Sequence, residues 1–169
     1  MRVTQTAVSL LTLASVLALS GCGADGPAAQ AVSAVSAVSS TLTDPASGAD
    51  CGGKDLRITK DNADTIVNGE CGAVTITASH GALNVEKARA IRVEGSSFTV
   101  LNRQVGELSI IGNNNTLNLT NLGSADIQGN QNLVLVREVK QVRFSGNDNT
   151  VNPSSKPTLD DRGSGNKLM

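Results

Sequence analysis

Tryptophan and tyrosine are both missing from the 169-residue chain, and Phe98 and Phe144 are its only aromatic side chains. A compact globular domain usually fills its core with several rings. Without them the core must be thin and built from Val, Ile, Leu and Ala. Net charge is nearly lacking as well: 14 Lys and Arg stand against 15 Asp and Glu, a formal −1. There is no basic footprint for a nucleic acid and no set of rings on which bases would stack, so no nucleic-acid partner is expected. His80 is the single histidine, and the three cysteines, Cys22, Cys51 and Cys71, match no zinc spacing. No metal and no cofactor is expected from such a set.

What is present begins with a targeting segment. Arg2 gives a short positive start, and "AVSLLTLASVLAL" (7–19) is apolar but too short to span a bilayer comfortably. It runs into "LSGC", Leu19 to Cys22, which resembles a bacterial lipoprotein lipobox: an aliphatic residue, two small residues, then cysteine. The resemblance implies cleavage of a signal peptide over 1–21, a diacylated Cys22 and acylation of its new amino group. Several acyl chains, each buried methylene contributing ~0.8 kcal/mol, hold a protein far more firmly than one chain does. In a Gram-negative host, Gly23 in place of aspartate resembles an outer-membrane sorting signal. The membrane is then a partner through Cys22, and the expected location is the cell envelope, with the domain in the periplasm or at the cell surface.

Residues 22–50 are rich in Ala, Ser and Val, and "AVSAVSAVS" (31–39) offers no consistent helical face. They read as a flexible tether, with a root-mean-square span on the order of 30 Å. Past the cytoplasmic membrane, Cys51 and Cys71 are expected to be oxidised to a disulfide.

From residue 51 to the end a 17-residue period organises the chain: "GAVTITASHGALNVEKA" (72–88), "RAIRVEGSSFTVLNRQV" (89–105), "GELSIIGNNNTLNLTNL" (106–122), "GSADIQGNQNLVLVREV" (123–139) and "KQVRFSGNDNTVNPSSK" (140–156) follow without a gap. "LRITKDNADTIVNGEC" (56–71) is a degenerate first copy with one extra residue. Apolar columns recur, such as Ile76, Val93, Ile110, Ile127 and Phe144, and so do a glycine column (Gly95, Gly112, Gly129, Gly146) and an asparagine column (Asn115, Asn132, Asn149). Alternation on each side of a Gly-Asn corner predicts two short strands per repeat. A repeat this small buries no face by itself, so copies must stack. The expected fold is all-β: a single-stranded parallel β-helix of about six coils. An antiparallel β-sandwich is the alternative. The glycines are expected at turn positions of positive φ, and the asparagines in ladders of amides bonded to the copies above and below.

Chemistry is sparse. Asp148 stands where other corners have Asn114 and Gln131, so a repeated calcium site lacks its carboxylates. Acidic residues such as Glu94, Glu107, Asp126, Glu138, Asp160 and Asp161 are scattered over different repeats, with Asp126 and Asp160 in one column two coils apart. His80 reads as a turn residue. The threonines Thr99, Thr116 and Thr150 form a broken column that in some solenoids orders water or binds ice. Charged columns through Arg92, Asp126 and Arg143 suggest a monomeric domain, with Asp160, Asp161, Arg162 and Lys167 as a charged cap.

Through "GNNNTL" (112–117), "GNQNLV" (129–134) and "GNDNTV" (146–151), residues 51–155 resemble an uncharacterised family of bacterial envelope proteins and lipoproteins with G-N-x-N-T-V units, a domain of unknown function. The expected role is non-catalytic, structural or binding, toward an envelope protein or glycan. A polysaccharide-active enzyme is the alternative.

Overall fold

The computed structural model describes residues 40–169. The expected signal peptide over 1–21, the expected lipidation site Cys22 and the expected tether as far as residue 39 lie outside the described residues. Within them the chain is all β: β1 (Thr41–Thr43), β2 (Ala49–Asp50), β3 (Asp55–Ile58), β4 (Asp64–Ile76), β5 (Gly81–Val93), β6 (Phe98–Ile110), β7 (Thr116–Ile127), β8 (Leu133–Phe144), β9 (Thr150–Pro153), β10 (Thr158–Asp161) and β11 (Lys167–Leu168). Every pairing is parallel, and from β5 onward each residue pairs with the one seventeen later, as in Val100 with Leu117 and Leu117 with Val134. This is a β-solenoid, and the antiparallel alternative is excluded.

Two short strands per repeat were expected; each central coil instead carries one long, bent strand of 12 or 13 residues. The bends are visible in burial. Inward residues Val100 and Asn102 alternate normally, but two outward residues separate Asn102 from Val105 and Val105 from Leu108. Pairing skips Arg103 and Gly106 at those points. With the Gly-Asn turn as third corner, each coil has three sides. We call them the first side (such as Phe98–Asn102), the short side (Gln104–Val105) and the return side (Glu107–Ile110). Pairing resumes in the same 17-residue register after each bend.

The core is the axial channel between these sides. It is filled by columns such as Ile76, Val93, Ile110, Ile127 and Phe144, all at most 1% exposed. Burying each such side chain contributes about 1.5–3 kcal/mol before chain entropy is subtracted. Where one column narrows to Ala125, the larger Leu108 and Val142 stand on the coils to either side.

Two boundaries differ from the sequence reading. The solenoid starts before Cys51: β1 pairs with β3 and β2 with β4, so residues 41–50 already form a coil of the stack. The return side recurs eight times between Thr41 and Asp161, giving about eight turns where about six were expected. The extra residue of the degenerate copy is a bulge, where register shifts between Val67 and Glu70 and Gly69 takes a φ of 76°.

Candidate functional site

The corner that repeats down the molecule was the first candidate for a site, and its geometry is set by stacking. One corner residue per coil is left-handed: Asn62, His80, Ser97, Asn114, Gln131 and Asp148 have φ between 55° and 59°, and Gly165 has 69°. Each of the six directs its N–H to the next coil, as Asn114 N does to Asn130 O at 3.1 Å. His80 is thus one member of a turn column. The glycine column lies elsewhere. Gly95, Gly112, Gly129 and Gly146 are not among the residues of positive φ. A Cβ on Gly112 would land on the carbonyl oxygen of Gly95, and one on Gly129 would land on that of Gly112. Close approach of stacked backbones, rather than handedness, selects glycine there. This corrects the positive-φ expectation, which assigned the turn to the wrong column.

Asn115, Asn132 and Asn149 are at most 1% exposed and form an inner ladder. Asn132 Oδ1 accepts from Asn115 N at 2.9 Å, while its Nδ2 donates to Gly112 O and to Asn149 Oδ1, both at 3.0 Å. Asn149 repeats this toward Gly129 O and Asn166. At the other end Phe98 takes the asparagine position and only donates its N–H to Asn115 Oδ1 at 2.9 Å. Its ring lies against Gly81, where a Cβ would be 2.7 Å from the ring edge.

A second, outer ladder escaped the sequence reading. Ser79, Ser96, Asn113, Asn130 and Asn147 each accept with a side-chain oxygen the N–H of the equivalent residue one coil later. The signal was a column of short acceptors, hidden because serine and asparagine interchange in it. Both ladders turn their hydrogen-bonding capacity toward neighbouring coils.

At the N-terminal end Cys51 and Cys71 form a disulfide with Cα atoms 5.1 Å apart, both sulfur-bearing residues buried. Asp44 accepts from Thr59 Oγ1 at 2.6 Å and Thr59 N at 2.7 Å. The Thr59 hydroxyl and N–H hold its carboxyl below the usual carboxylate range. At the C-terminal end Asp161 occupies the column of Phe144 and accepts from Gly163 N and Asn166 Nδ2, closing the core with a polar group. Asp160 bridges Arg143 at 3.2 Å and Arg162 at 3.0 Å. The Arg162 hydrogen bond chiefly lowers its pKa, with Arg143 adding to the effect.

Asp126 and Asp160 do not meet, because Arg143 stands between them in register. Asp126 instead borders a shallow hollow of about 370 Å³ on the return side, floored by small residues such as Ala90, Ser109 and Ser124 and rimmed by Arg92 and Glu107. Gln128 donates to Asp126 Oδ2, and Asp126 Oδ1 is enclosed with no hydrogen-bond partner. A second hollow, about 470 Å³, lies by the short side among Gln104, Asn121, Gly123, Arg137 and Lys140. Among the described residues no group of three or more His, Cys, Asp or Glu is placed to hold a metal ion. Leu133 interrupts the threonine column between Thr116 and Thr150.

Residues 110–165 match a family model described as a protein of unknown function (DUF3060). That stretch holds the three G-N-x-N corners and the inner ladder from Asn115 to Asn149, the part of the solenoid in which the asparagines recur without interruption. No curated protein and no solved structure matched the chain.

Proposed function

We propose that the chain is a lipid-anchored protein of the bacterial cell envelope with a non-catalytic structural or binding role. The observation that carries this reading is the fate of the repeated polar residues. Inner and outer ladders spend their amides and hydroxyls on adjacent coils, so the feature most suggestive of a ligand site serves cohesion. What remains for partners is an extended lateral surface, suited to docking along a protein or glycan. The lipobox-like "LSGC" supports anchoring through Cys22, and the disulfide suits an oxidising compartment. In a Gram-negative host Gly23 directs the anchor to the outer membrane.

Cys22→Ser tests the anchoring. Acyl labelling with a palmitate analogue is expected to vanish and the protein to leave the membrane fraction; unchanged retention would refute it. Cross-linking in cells, followed by mass spectrometry, identifies the partner.

The return-side hollow favours one second reading, an enzyme acting on a cell-wall or extracellular polysaccharide. Glu107 and Asp126 are its carboxylates. If glycan cleavage is detected and both Glu107→Gln and Asp126→Asn abolish it, the non-catalytic reading falls.

A further inference from the structure

We propose that the outward surface of the first side is a self-association face that takes a second copy of this chain in antiparallel orientation. Two columns of side chains cover that surface. One contains Leu101, Asn118 and Leu135 in register, and the other Thr99, Thr116 and Leu133. From Ala82 and Asn84 to Thr150 and Asn152 neither column carries a charge. Among the described residues, four of the five large hydrophobics that remain exposed fall in the first column: Ile66 at 48%, Leu101 at 40%, Leu135 at 36% and Met169 at 63%. The charged columns through Arg92, Asp126 and Arg143 lie on the return side and do not bear on this face.

The order of residues names the occupant. Read outward from Asn118, the first column is palindromic: Leu101 and Leu135 lie one coil away, Asn84 and Asn152 two coils, and Ile66 and Met169, the residue that follows the Leu168–Val151 pair, three. A two-fold axis in the plane of the face, along the strand through Thr116 and Asn118, reverses coil order and keeps each column opposite itself. It sets leucine against leucine and amide against amide. In the second column the same operation sets Asp64 at one end against Lys167 at the other, a charge pair between copies. An isologous interface requires this kind of self-complementarity.

Parallel stacking lacks it. An axis along the Leu101–Leu135 column would lay Arg103 of one copy over Thr99 of the other, and Arg137 over Leu133. In the antiparallel arrangement the corner column also faces itself, Arg103 of one copy toward Arg137 of the other, but at the edge of the face, where Arg103 stays largely exposed and is bridged to Glu86 of its own chain. Seven coils at ~4.8 Å by five residues at ~3.3 Å give a face on the order of 500 Å². Two such faces bury about 1,000 Å², at the low end for specific complexes. Self-association is therefore concentration-dependent rather than obligate.

The full chain carrying Cys22→Ser provides the test, by sedimentation across micromolar to millimolar concentration and by a short bismaleimide cross-linker. Asn118→Cys is expected to cross-link to itself. Leu101→Cys is expected to cross-link to Leu135→Cys when the two are mixed, and at least tenfold less to itself, because its copies lie two coils apart along the axis. Leu101→Asp with Leu135→Asp is expected to stay monomeric at every concentration while keeping the parent's β-sheet circular dichroism. A parent that is monomeric at millimolar concentration would overturn the proposal. So would a Leu101→Cys self-cross-link as strong as the mixed one, or cross-linking no better than for Ser124→Cys on the return side.

Discussion

The two ends of the solenoid solve one problem, holding a coil to its neighbour, by different means. From Asn113 onward the corners use paired amide ladders on a strict 17-residue register, with Asn115, Asn132 and Asn149 inside and Asn113, Asn130 and Asn147 outside. Toward the N-terminus the register carries a bulge, Phe98 fills the inner position, and Ser79 and Ser96 serve the outer one. There the Cys51–Cys71 disulfide and the Asp44–Thr59 contacts take over. An amide ladder is strong only in the middle of an array, where each member has neighbours on both sides. A terminal coil lacks one neighbour, and a covalent link or a carboxylate compensates for it.

Breaking a shared element should exceed every local effect. Gly129→Ala places a Cβ on the Gly112 carbonyl, a backbone atom that cannot turn aside. A loss of more than about 4 kcal/mol, seen as failure to fold or a collapse of the denaturation midpoint, is expected. Cys51→Ser with Cys71→Ser removes a cross-link over a sequence separation of 20 and should cost about 3 kcal/mol in chemical denaturation. Proteolysis is then expected to begin in the first coils while those around Asn132 stay protected. Asn132→Ala strands Asn115 N and Gly112 O in the core and should cost about 2–3 kcal/mol. Asn130→Ala, on the exposed ladder, should cost only about 0.5–1 kcal/mol, since water replaces its oxygen.

The smallest effect is a pH dependence at the two ends, where Asp44 and Asp160 are the carboxylates with lowered pKa. Asp44 has its pKa lowered by Thr59, so its contribution is complete above the ordinary carboxylate value and disappears as pH falls through the lowered one. Exchange protection of Thr59 N–H should therefore fall below about pH 4, with no matching change at Asn132.

The same contrast explains what could be read in the amino-acid order. Apolar columns such as Val100, Leu117, Val134 and Val151 reveal the period because each copy faces the same core. The inner asparagines reveal the corner for the same reason. The purpose of Gly112 and Gly129 was not legible, because crowding by the previous coil's carbonyl exists only once coils stack. Residues 41–50 were hidden by irregular offsets, Thr41 pairing with Asp55 and Ala49 with Val67, so no fixed period reaches them. The return-side hollow was hidden too, since it arises from Ala90, Ser109 and Ser124 being small on three successive coils.

The most direct test of whether the repeated polar corners hold the fold together is residue-resolved hydrogen exchange of Asn115 N–H in the parent and in Asn132→Ala. If the inner ladder is structural, this proton exchanges at near the global unfolding rate in the parent and at least tenfold faster in the variant, while Val105 N–H, on the short side, changes less. Rapid exchange of Asn115 in the parent, or an Asn132→Ala variant with unchanged protection, would contradict it.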